Sequence, residues 1–247
     1  MLEFLVPDWP APANVGAFST LRGGGVSGDP FASLNLGDHV GDDPSAVKEN
    51  RRLVGANLPG EPLWLNQVHG VRVVNGGREW DSPPEADGVF SRRAGRVCVV
   101  MTADCLPVLL CDRAGTVVAA AHAGWRGLAA GILAQTVEAM GCPAEEILAW
   151  LGPAIGPTAF EVGGEVLDTF ARAEPLAADH FQPTGEPGKW FADLPGLARQ
   201  ALARCGVRQV WGGECCTVSD SQRFFSHRRD RCSGRMGAFI WLENPSR

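Results

Sequence analysis

Three short segments combine a metal-ligating or nucleophilic side chain with residues that turn the chain. They are Asn66-Gln67-Val68-His69-Gly70, Thr102-Ala103-Asp104-Cys105-Leu106-Pro107 and His122-Ala123-Gly124-Trp125-Arg126-Gly127. Cys105 and His122 lie 17 positions apart, with an apolar, strand-like run between them. Two imidazoles and a thiol suffice for a zinc site with an open fourth position. A thiol beside an imidazole equally suits a cysteine nucleophile and its base, with His122 accepting the Cys105 proton. The residues alone leave both chemistries open. Asp104 is too costly to bury without a partner, so it is expected to act as a base or to orient an imidazole. Gln67 is placed to orient water or substrate. Arg126, in the first turn of a helix, is suited to a phosphate or carboxylate, as are Arg228 and Arg229 in Phe224-Phe225-Ser226-His227-Arg228-Arg229-Asp230. Other candidates read more simply. Cys98 and Cys111 sit in apolar runs as inert core thiols. His39 and His180 read as hydrogen-bonded core residues, and Asp87-Gly88 as a turn.

The elements that must position these groups follow from periodicity. Strands are expected at Val15–Ser19, Leu63–Leu65, Val71–Val74, Val97–Met101, Pro107–Cys111, Thr116–Ala121, Ile147–Leu151, Gln209–Gly212 and Ala238–Leu242. The runs around Cys105 are near-continuously apolar, as in strands buried on both faces. Asp42-Asp43-Pro44 gives an acidic cap and a proline for a helix that stops near Leu58-Pro59-Gly60. Trp125–Met140 carries apolar residues at helical spacing and is expected as one helix ended by Gly141. Helices are also expected at Gly164–Ala173 and Leu194–Cys205. Interleaved strands and helices, without repeats or a linker, predict one mixed α and β domain over residues 1–247.

Bulk composition narrows the function. Hydrophobic residues make up 45% and charged residues 20% of the 247, which reads as a folded globular chain. A net charge of −6 argues against a general affinity for nucleic acid or anionic membrane. Tyrosine is absent, which removes it as a catalytic acid. The eight cysteines form no regular framework, so a reducing, cytoplasmic setting is expected. The N-terminus lacks a basic region before its apolar residues, and no run is apolar enough to span a membrane.

Taken together, the motifs resemble the YfiH family, known as laccase-domain or multicopper polyphenol oxidase proteins and as peptidoglycan editing factors. The resemblance spans nearly the whole chain. It rests on Thr20–Ser27, Ser33–Gly37, His39–Asp42, the three segments above, Ala86–Gly88, Leu151–Pro157, Phe224–Asp230 and Gly234–Met236. His227 departs from the tyrosine of many bacterial members. The resemblance implies an α+β, four-layer α/β/β/α sandwich with mixed sheets, similar to the catalytic domain of cytotoxic necrotising factor. It implies zinc held by His69, Cys105 and His122. It implies a purine nucleoside phosphorylase acting on adenosine, inosine and methylthioadenosine, with adenosine deaminase activity. The small-molecule partners would be a purine nucleoside and phosphate. The alternatives are a zinc amidase removing L-serine from UDP-N-acetylmuramyl precursors and a metal-independent Cys–His hydrolase. Copper at the same donors is an expected in vitro substitute. A four-copper laccase, which needs about ten histidines, is not expected from a chain with five.

Overall fold

A computed structural model describes residues 2–244. Two mixed sheets form its centre. The first runs β1 (Phe4–Leu5), β2 (Val15–Thr20), β14 (Met236–Leu242), β6 (Val97–Thr102), β3 (Pro62–Leu63). The second runs β13 (Gln209–Gly212), β9 (Ile147–Leu151), β7 (Leu106–Asp112), β8 (Val118–Ala123), β5 (Gly88–Ser91), β4 (Val73–Asn75). A small antiparallel sheet of β10 (Glu161–Gly163), β12 (Lys189–Ala192) and β11 (Phe181–Pro183) flanks them.

The layering follows from the two-residue period of the strands. On β6, Cys98 and Val100 face the second sheet, where they meet Leu109, Cys111, Val118, Ala120, Leu148 and Trp150. Val97, Val99 and Met101 face the other way and pack with Val54 of α1 (Pro44–Gly55). On the second sheet, Val108, Leu110, Ala119, Ala121 and Ala149 point away from the first. They are covered by α2 (Trp125–Ala130), α3 (Ile132–Met140), α4 (Gly164–Ala173) and α5 (Leu194–Arg204). The order is therefore helix, sheet, sheet, helix. Each wholly buried leucine or isoleucine in these layers contributes about 1.5–3 kcal/mol.

Local signals set the boundaries. Asp43 caps α1, accepting from Ser45 N at 2.9 Å, with Pro44 in the first turn. The helix expected at Trp125–Met140 is broken at Gly131, whose φ of 100° is left-handed. The strand expected at Thr116–Ala121 starts later and carries through His122 to Ala123. Asp112 causes the delay, because its carboxylate accepts from Thr116 N and Val117 N and holds those residues in a turn. Residues 88–91 form β5, and α6 (His227–Asp230) is a single helical turn. Among the described residues no helix is long and apolar enough to cross a membrane.

Candidate metal centre

Cys105 sits in the tight connection from β6 to β7, which crosses from one sheet to the other. Asp104 makes the turn with φ of 88°, a conformation disfavoured for any residue with a Cβ. Both of its carboxylate oxygens are engaged away from the imidazoles. One oxygen accepts from Thr217 Oγ1 at 2.6 Å, the other from Arg228 N at 2.6 Å, and its carbonyl accepts from Ile155 N at 2.9 Å. Asp104 therefore fixes the Cys105 turn to the C-terminal loops and does not orient an imidazole.

The carboxylate that does so belongs to Asp87, which sequence reasoning assigned to a turn. Asp87 is fully buried immediately before β5. Its Oδ1 accepts from His122 Nδ1 at 2.8 Å and from His69 N at 2.9 Å. Its Oδ2 accepts from Gly70 N at 2.7 Å and Val68 N at 3.2 Å. One carboxylate thus holds the His122 side chain and the backbone carrying His69. The His69 φ of 61° is also left-handed, so this loop too is held in a costly conformation. With Nδ1 of His122 donating to Asp87, the neutral ring that binds a metal carries its free lone pair on Nε2.

The three side chains converge. Cys105 Sγ lies 3.8 Å from His69 Nε2, and one ligand atom from each of His69, Cys105 and His122 falls within 4.8 Å of the others. No fourth His, Cys, Asp or Glu joins them among the described residues. His122 is buried, Cys105 half-buried and His69 exposed, so the group opens to solvent on one side. A tetrahedral zinc with ordinary bond lengths places its N and S donors about 3.3–3.6 Å apart. The 3.8 Å between Cys105 Sγ and His69 Nε2 is close to that value, while a pair as wide as the 4.8 Å limit would have to draw in by about 1 Å to hold the ion. The glycines of the third segment make the room. A Cβ on Gly124 would stand 2.9 Å from Cys105 Sγ and 2.9 Å from His69 Cδ2, and one on Gly127 would stand 2.8 Å from Gly70 O.

Electrostatics match the donor set. Burial pushes the Cys105 thiol up, but the charge of His122 and hydrogen bonds from both imidazoles outweigh it and bring the pKa to about 6. Burial opposes charging His122, yet the Cys105 thiolate and Asp87 raise it to about 9. Burial also opposes ionisation of Asp87, but its bonds to His122, Gly70 and Val68 prevail and lower its pKa. Cys98 behaves as the inert core thiol expected, pushed up to about 12 by burial.

The remaining expected site residues are placed less simply. The Gln67 amide is bound to backbone, donating to Met101 O at 2.8 Å and accepting from Met101 N at 2.7 Å. It pins the His69 loop to β6 and leaves little capacity to orient substrate. Arg229 spends its guanidinium on Thr217 O, Val218 O, Phe224 O and the Asp230 carboxylate. Arg228 donates to Glu161 O at 2.9 Å. Arg126 is exposed and stacks over Trp125, its guanidinium carbon 4.5 Å from the ring centroid.

Architecture and site together define a class: a two-sheet α/β sandwich with an open His–Cys–His centre at a sheet-crossing turn. Residues 16–243 match the family model described as multi-copper polyphenol oxidoreductase laccase, and the chain belongs to that family. It is similar to the Pseudomonas aeruginosa purine nucleoside phosphorylase, 54% identical over 244 residues and covering 99% of this chain and 100% of that one. The Escherichia coli purine nucleoside phosphorylase YfiH is also 54% identical, covering 98% of this chain and 100% of its own length. The crystal structure of a Neisseria meningitidis protein superposes with a TM-score of 0.96 at 52% identity, covering 98% of this chain and 99% of that one.

Proposed function

We propose that this chain is a zinc-dependent purine nucleoside phosphorylase acting on adenosine, inosine and methylthioadenosine, with adenosine deamination as a side activity. The observation that carries the reading is the three-donor centre, open on one side, whose buried imidazole is fixed by Asp87. Structural zinc is usually closed by four protein ligands, whereas catalytic zinc keeps one position for substrate. Relatives named purine nucleoside phosphorylase along their whole length support the substrate class.

His69, Cys105 and His122 would hold the metal. Zinc there would supply a Lewis acid for the departing purine. Asp87 keeps the His122 Nδ1–H in place, so Nε2 stays available for coordination. Asp104 and Gln67 hold the Cys105 turn and the His69 loop in their strained conformations. An arginine must neutralise the attacking phosphate, and Arg126 and Arg228 remain among the candidates.

A second reading has its own support. Cys105, His122 and Asp87 form a thiolate–imidazole–carboxylate series, the arrangement of a metal-independent cysteine hydrolase. One experiment separates the two. Hypoxanthine release from inosine is followed with and without phosphate, with and without a zinc chelator, beside Cys105→Ala. The phosphorylase reading expects phosphate-dependent turnover that the chelator and the substitution both abolish. Turnover that survives chelation but not thiol alkylation selects the cysteine hydrolase. No turnover by folded, zinc-loaded protein refutes the phosphorylase reading and directs the assay to serine release from muramyl precursors.

A further inference from the structure

Arg235 has the placement that an anion-binding residue of this centre needs. It immediately precedes β14, whose register pairs Met236 with Thr102. Extending that antiparallel ladder by one step sets Arg235 beside Ala103, the neighbour of Asp104 and Cys105. Its side chain is fixed at both ends. The backbone N donates to Asn35 Oδ1 at 2.8 Å, and a Cβ on Gly37 would meet Arg235 Cγ at 2.8 Å. Nη1 donates to Ser233 O at 2.8 Å and Gly234 O at 3.1 Å. Among the described residues, Nε and Nη2 have no acceptor and no carboxylate pairs with the guanidinium. A half-buried guanidinium without a counter-ion is costly, and the cost is offset when an anion binds. Burial lowers its pKa, while the nearby charges of Cys105 and Asp104 act the other way. The other arginines compare poorly. Arg229 has its donors engaged, whereas Arg228 and Arg126 are exposed and lie over the rings of Phe160 and Trp125.

We propose that Arg235 is the phosphate-binding arginine of the His69–Cys105–His122 site, presenting its Nε–Nη2 edge to two phosphate oxygens. The proposal rests on the phosphorylase reading. In that reaction a phosphate oxygen forms a bond to the anomeric carbon as the carbon–nitrogen bond to the purine breaks. The purine nitrogen keeps the electron pair and takes a proton, leaving a ribose 1-phosphate. Arg235 holds the attacking phosphate near the thiol-bearing turn and balances its charge.

The test is steady-state phosphorolysis of inosine by Arg235→Gln, Arg235→Lys and Arg126→Gln, varying phosphate and nucleoside separately. Arg235→Gln is expected to raise KM for phosphate about 10- to 100-fold, with KM for inosine changed less than about threefold. Arg235→Lys keeps the charge but loses the fork, so its phosphate KM falls between the two. An unchanged phosphate KM in folded Arg235→Gln overturns the proposal, as does an effect confined to Arg126→Gln. If wild-type protein performs no phosphorolysis, the phosphorylase reading fails, and calorimetric titration with inorganic phosphate then decides the residue's role. Binding by wild type that weakens in Arg235→Lys and is lost in Arg235→Gln sustains the anion site. Equal binding by all three, or binding by none, overturns it.

Discussion

Asp87→Asn probes the carboxylate that serves both imidazoles. Each Asp87 oxygen accepts from two donors, His122 Nδ1 and His69 N at Oδ1, Gly70 N and Val68 N at Oδ2. An asparagine of the same shape turns one oxygen into an NH2 group. Whichever way the amide lies, two donors then face another donor at the buried side chain. At about 1–3 kcal/mol for each unsatisfied group, the variant loses about 3 kcal/mol of stability. For a chain of this length that is a fall in Tm of about 6–12 °C. The amide also removes the charge that fixes the His122 tautomer, so zinc affinity falls about 10- to 100-fold. The assays are thermal unfolding of metal-free protein and competition for zinc against a chromophoric chelator. Orientations with the NH2 toward the His69 loop spare His122, so the loss in affinity then comes from the displaced loop. A variant with zinc affinity within about threefold of wild type, and unchanged melting, refutes the assignment of Asp87 as the common support.

The other predictions concern the same few atoms. Cys105→Ala is expected to abolish zinc binding and turnover together, read by metal analysis of the purified protein and by the inosine assay. Gly124→Ala adds a methyl 2.9 Å from both Cys105 Sγ and His69 Cδ2 at a backbone φ of −63° that any residue tolerates. It should therefore fold, by circular dichroism, and bind little zinc. In metal-free protein the Cys105 pKa is depressed to about 6, so alkylation by iodoacetamide rises as pH passes up through that value and is already near its plateau at neutral pH. Raising His122 to about 9 keeps the imidazolium partner over the same interval, and its deprotonation above that point removes the charge that stabilises the thiolate. A Cys105 titration near the ordinary thiol value would show that the imidazoles do not act on it.

The legibility of this fold varied with how local its causes are. Apolar runs gave β6, β7 and β9 almost to the residue, because a strand buried on both faces must be apolar throughout. The cap at Asp43 gave the start of α1. The break at Gly131 was obscured because apolar spacing continues across it, and only the backbone conformation separates α2 from α3. The three donors were recognisable as types, but their convergence depends on the crossing of β6 to β7 between sheets. Asp87 escaped notice for a similar reason. An aspartate before glycine is the ordinary composition of a turn, and nothing local shows that four donors from the 68–70 loop and from β8 meet at its carboxylate. The signal that existed was the strand run Gly88–Ser91 behind it, which makes a buried charge at its mouth worth questioning. Arg229 is the converse case. Adjacent arginines look available for an anion, yet the capping of α6 and the carbonyls of residues 217, 218 and 224 use the second of them.

The family description speaks of several coppers, and the donor set can be held to it. A blue copper site takes two histidines and a cysteine, and the accompanying three-copper cluster is ligated almost wholly by histidine, about ten histidines in all. This chain has five. Two are in the centre, and His39, His180 and His227 join no group of metal-ligating side chains among the described residues. The described residues therefore gather donors for a single ion, and five histidines are too few for a four-copper oxidase. The same nitrogen and sulfur donors bind copper more tightly than zinc in the general order of divalent ions. Exposure to excess copper is thus expected to displace zinc with a stoichiometry of one copper per chain. Metal analysis after removal of loosely bound copper checks this. Four tightly held coppers per chain would require a cluster of histidines that the sequence does not contain, and would overturn the single-ion reading.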